Sequence, residues 1–174
     1  MRVLGIKALI LVILFLVVSV SYAQIAEEYY NKGLEYATQG EFEKAREEFK
    51  KGLEIDQFYE PAKEYLKLIE DVLEERVEDE AVIHLFKGTT YHNKGMWNEA
   101  IAEYKKALII NPNDAKAHTN LGVAYEAIDE PERAVKEYEL TIECTPNHFE
   151  AISNLEALSY DMSKLMQAAK DEEE

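Results

Sequence analysis

The sequence predicts an all-α fold, a solenoid of antiparallel helix pairs, and three observations carry that reading. Matching residues recur at a fixed offset of 34. Each recurring unit holds two apolar faces at helical spacing, separated by a short polar turn. Glycine and alanine stand at matched positions, where two helices must come close together.

The first 23 residues stand apart from that pattern. Arg2 and Lys7 form a short basic stretch, Ala8 to Val20 is an unbroken run of small and apolar residues, and Ser21-Tyr22-Ala23 places small residues at a small-x-small site. That order is the signature of a secretory signal peptide cut after Ala23. The run 8–20 is shorter than the ~20 residues that a membrane span requires. The alternative is an uncleaved inner-membrane anchor over residues 3–20, and only then does the chain touch a membrane. No cysteine follows the run, which argues against a lipid anchor. The compact signal and small size point to a bacterial envelope and a periplasmic address.

The repeats begin directly after. Gly88 matches Gly122, Tyr91 matches Tyr125, Ala100 matches Ala134, Tyr104 matches Tyr138, Leu108 matches Ile142 and Pro112 matches Pro146. Upstream, Gly33, Tyr36, Gly40, Phe42, Ala45, Phe49 and Leu53 keep the same spacing. A 34-residue period with small residues, aromatics and a closing proline resembles the tetratricopeptide repeat (TPR) family. The resemblance covers residues 26–59, within a first segment 24–59, and then 81–114 and 115–148. It implies a right-handed superhelix whose concave face is lined by the first helix of each unit.

The physics of one unit agrees. In the second, Leu85, Gly88, Tyr91 and His92 share one side of the first helix, and Ala100, Ile101, Tyr104, Ala107 and Leu108 run along the second. Gly88 and Ala100 let the backbones approach, with the aromatics at 91 and 104 filling the remaining space. Gly95 suits the end of the first helix, Asn98 is placed to cap the second, and Asn111-Pro112-Asn113-Asp114 closes the unit. One pair cannot bury both of its faces, so pairs must stack.

Two segments break the period. Residues 60–80 carry Tyr65, Leu66, Ile69, Val72, Leu73 and Val77 on one stripe, which predicts an added helix that either caps the first unit or hinges it to the rest. The charged run 74–80 is the expected bend. Residues 149–170 continue the period loosely, with Glu156 where the repeat has glycine, and read as a capping helix with a polar outer face. Residues 171–174 read as a frayed acidic tail.

Composition then limits the chemistry. The net charge is −16, and losing Arg2 and Lys7 takes it to −18. Such a chain repels phosphate backbones, which argues against nucleic acid as a partner. Cys144 is the only cysteine, so no internal disulfide can form. His84 and His118 hold equivalent positions and read as structural. No metal-ligand spacing, phosphate-binding glycine loop or nucleophile–base pair is present, so no metal, cofactor, small-molecule substrate or catalytic residue is expected. Carboxylates such as those of Glu43 and Glu103 read as solvated faces among lysines.

The resemblance supplies the expected site. The sixth position of each unit reads Asn31, Phe86 and Asn120, and the capping helix adds Asn154. Some TPR proteins hold an extended peptide with such a ladder of asparagines, each offering a donor and an acceptor. Tyr30, Leu34, Leu85, Phe86, Thr89, His92, Thr119 and Val123 are expected to add apolar and aromatic contact. Other TPR proteins clamp a C-terminal carboxylate with lysine, arginine and asparagine. The matching positions here are Leu85, Thr89, Asn120, Glu150 and Asn154, and only one fits. The expected function is a protein-binding scaffold for a peptide or helix of a partner. The alternatives are a self-assembling oligomer or an accessory subunit of an envelope secretion or assembly system.

Overall fold

The computed structural model describes residues 22–172, without the side chains of 161, 162 and 165–172. The expected signal peptide therefore lies outside the described residues, apart from Tyr22 and Ala23, which are helical. Among the described residues every regular element is a helix, as the periodicity requires. They fall into two compact units, the first ending at Val77 and the second starting at Glu78.

The first unit holds α1 (22–38), α2 (Phe42–Ile55) and α3 (Glu60–Leu73). Its core is a group of aromatic rings. Tyr30 of α1 sits 5.9 Å from Phe49, 5.5 Å from Tyr59 and 6.1 Å from Tyr65 between ring centres. Ring pairs at these distances add stabilisation beyond their buried area. Ala62, Tyr65, Ile69 and Val72 form the buried stripe of α3, which packs on α2. The helix stops where Glu75 turns left-handed, at φ 56, inside the charged run expected to bend.

The second unit holds α4 (Asp79–Asn93), α5 (Trp97–Ile110), α6 (Ala115–Ala127), α7 (Pro131–Cys144) and α8 (Phe149–Glu172). Each helix packs on the next, and α4 also meets α6. The last helix runs two residues into the segment expected to fray, while Glu173 and Glu174 lie outside the described residues.

One device closes every helix pair. A Cβ built on Gly33 would stand 2.5 Å from Phe49 Cε1, and one on Gly122 would stand 2.5 Å from Tyr138 Cε1. Gly88 meets Tyr104 in the same way. The missing side chain therefore makes room for a ring from the second helix, rather than for its backbone as the sequence suggested. Tyr104 is fully buried, whereas Tyr91 is half-exposed.

The turn within each pair is also repeated. The amides of Glu41, Met96 and Glu130 each donate to the carbonyl five residues back (Tyr36, Tyr91 and Tyr125) at 3.0 Å. The residue before each is left-handed: Gly40 at φ 76, Gly95 at φ 69 and Asp129 at φ 61. That conformation suits glycine and strains a residue with a Cβ. Replacing Asp129 by glycine is expected to raise stability by about 0.5–1 kcal/mol, readable as a higher Tm. A lower Tm would mean that the aspartate supplies something beyond the turn. Asn98 does not cap α5, because the helix begins one residue earlier, at Trp97, and Met96 occupies the cap position. Asp114 does cap α6, accepting from Ala117 N at 3.0 Å.

Candidate functional site

Helical geometry sorts the eleven expected groove residues into two sets. The first set is core. Tyr30 belongs to the ring cluster of the first unit, and Leu34 is 2% exposed. Leu85 and Phe86 are fully buried. Thr89 is buried and turns its hydroxyl back to the Leu85 carbonyl, 3.1 Å away. Thr119 is buried, bonded to the Ala115 carbonyl at 2.8 Å and lying 3.2 Å from the Thr141 hydroxyl. These six residues are corrections, since the chain's own packing leaves them no surface to offer a partner. Sequence position put them on the first helix of each unit but does not say how much neighbouring chain covers them.

The second set stays accessible. Asn31 is exposed on α1 of the first unit. In the second unit His92, Asn120, Val123 and Asn154 are half-exposed, on α4, α6, α6 and α8. Asn120 and Asn154 stand one repeat apart, on the first helix of the last pair and on the capping helix α8. Asn154 lies near Tyr138, whose hydroxyl donates to Glu126. Burial, followed by the bond to Glu126, pushes the tyrosine well above its usual range, so it remains a neutral donor. The exposed Glu150, in the first turn of α8, is felt by both Tyr138 and His92. Burial lowers the His92 pKa despite that carboxylate, and its ring meets Trp97 edge-on at 4.8 Å. The accessible members of the expected set in the second unit are thus His92, Asn120, Val123 and Asn154, with the exposed carboxylate of Glu150 on the same helix as Asn154.

A further set of side chains escaped the sequence reading. Glu48, Glu103 and Glu137 hold one repeat position and reach from the second helix of a pair to the first. Glu48 is 5% exposed and pairs with Lys32 at 3.1 Å and Lys51 at 2.6 Å. Burial pushes its pKa up, but the two lysines outweigh that and hold it below the usual carboxylate range. Glu103 pairs with His84 at 2.6 Å and with Lys106 at 2.6 Å. Glu137 pairs with His118 at 2.7 Å. Glu103 is therefore a half-buried clasp and not part of a solvated face. The recurrence of Glu at offset 34 was the available signal.

Among the described residues no group of three or more histidine, cysteine or acidic side chains is placed to hold a metal. No described helix is long and apolar enough to cross a membrane.

Fold and surface together define a helical-pair repeat with a polar accessible face and buried rings between paired helices. Residues 26–59 and 115–148 match the tetratricopeptide repeat, and residues 88–129 match the TPR repeat. The chain carries tetratricopeptide repeats. Human RNA polymerase II-associated protein 3 is 27% identical over 128 residues, a match that spans 74% of this chain and 16% of that protein. The TPR domain of Sgt2 from Aspergillus fumigatus superposes with a TM-score of 0.51 at 17% identity, covering 83% of each chain. The Hsp90 co-chaperone Cns1 from Saccharomyces cerevisiae superposes with a TM-score of 0.52 at 17% identity, covering 87% of this chain and 44% of that one. These structural likenesses show the fold.

Proposed function

We propose that the chain is a non-catalytic interaction scaffold that holds an extended segment of a partner protein across Asn120 of α6 and Asn154 of α8. The carrying observation is the pair of half-exposed asparagines, one repeat apart, on α6 and on the capping helix α8. Asparagine inside a helix is a cost that a ligand would repay. An amide gives both donor and acceptor to a peptide backbone, whatever the side chains of that peptide. The neighbouring Val123 adds apolar contact. The exposed Glu150 disfavours an acidic ligand, because its carboxylate stands where a clamp for a carboxylate would need a cation.

The proposed setting is the bacterial envelope, reached by export and cleavage after Ala23. It rests on the basic stretch, apolar run and small-x-small site of residues 1–23. The N-terminal sequence of the protein recovered from cells tests it. A start at Gln24 supports the setting, and an intact Met1 opposes it.

The groove is tested by affinity capture with the parent and with the double variant Asn120→Ala, Asn154→Ala. The expected result is a protein retained by the parent and lost by a variant with near-parental Tm. Equal retention on both baits would move the binding surface elsewhere.

A further inference from the structure

His118 is wired differently from its repeat equivalent. Its Nδ1 lies 2.7 Å from Glu137 Oε2 and its Nε2 lies 3.0 Å from the Pro112 carbonyl. A carbonyl oxygen can only accept, and so can an ionised carboxylate. Both ring nitrogens must then carry hydrogen, which makes the ring an imidazolium. At the matching place in the second repeat, His84 bonds Glu103 through Nδ1, and that carboxylate is shared with Lys106.

We propose that His118 is a proton-operated latch, which as an imidazolium ties the α5–α6 turn to α7 and on losing its proton releases that junction between the second and third repeats. The two bonds span three pieces of chain: the Pro112 carbonyl in the turn, the ring on α6 and Glu137 on α7. A neutral ring keeps one N–H and must give up one acceptor, leaving two lone pairs facing each other. The proton has a way out. His118 is 7% exposed, yet it lines a cavity of about 460 Å³ together with Pro112, Asn113, Leu140, Glu143 and Cys144.

The charged surroundings favour the proton. Glu137 faces the ring from α7, Glu143 and Cys144 of α7 line the cavity, and Asp114 caps the ring's own helix. On α5, Lys105 stands over the Tyr125 ring, two turns further along α6. Burial lowers the His118 pKa, but the bonds to Glu137 and Pro112 and the charges of Glu137 and Asp114 outweigh it, so the value is raised above 6.5. A raised folded value means that the stabilisation is complete below the unfolded value of 6.5 and is lost as pH rises through the folded one.

The test is an NMR titration of the His118 ring in the full chain, assigned by through-bond correlation so that no variant is required, with Tm measured against pH. The expected midpoint lies above that of a free histidine, and Tm falls by a few degrees as pH rises through it. In Glu137→Gln the midpoint drops and the fall in Tm is reduced. A parental midpoint at or below that of free histidine would overturn the latch, even if the variant fails to fold. So would a fall in Tm that Glu137→Gln reproduces in full.

Discussion

Replacing Gly122 by leucine is expected to lower stability by about 1–3 kcal/mol or more, a fall in Tm of several degrees for a chain of this size. The first added carbon would already stand 2.5 Å from Tyr138 Cε1, closer than van der Waals contact allows. Tyr138 cannot simply retreat. Its ring is fully buried, and its hydroxyl is tied to Glu126. Either the ring leaves its rotamer or α6 and α7 move apart, and the second course opens the pair along its whole length. Gly88→Leu should behave alike against Tyr104. Thermal unfolding followed by circular dichroism is the measurement, with Gly122→Ala as the milder step. A leucine variant that melts like the parent would mean that the helix pairs are wrongly matched.

The second large effect concerns Phe86. Its change to alanine is expected to cost about 3–5 kcal/mol, the range for deleting a buried aromatic ring. The side chain is fully buried on α4. A groove-lining phenylalanine would behave in the opposite way, losing partner affinity while leaving Tm alone. Chemical denaturation of Phe86→Ala beside Asn120→Ala separates the two roles. A large shift for the first with little for the second places the ring in the core and the amide on the surface. Unchanged stability for Phe86→Ala would restore it to the groove.

The fold was legible because two independent periods agree. The helical spacing of apolar residues defines each helix, and the 34-residue offset fixes which helices pair. Gly95 was read correctly as a turn, since a left-handed residue at a helix end favours glycine. Asp129 was harder, because an aspartate carries the same conformation without the same signature. The site was less legible. Sequence position can say which side of a helix a residue occupies, but not how much neighbouring chain covers it. Thr89 and Thr119 illustrate the limit: both satisfy their hydroxyls on their own helix and vanish into the core. The glutamate clasps went unread for a different reason. Each carboxylate has lysine or arginine near it in sequence, which suggests a solvated face. In two of the three the decisive partner is a histidine 19 residues away.

The ring-into-glycine contacts join residues 33 with 49, 88 with 104 and 122 with 138. Each is a short-range contact in sequence, and chains dominated by such contacts fold quickly because little loop entropy is lost before the first gain. A helix pair of this kind can close as soon as its own residues are available, before the rest of the chain has arrived. The same locality means that the chain has several equivalent places to begin folding, and damage to one pair leaves the others able to nucleate.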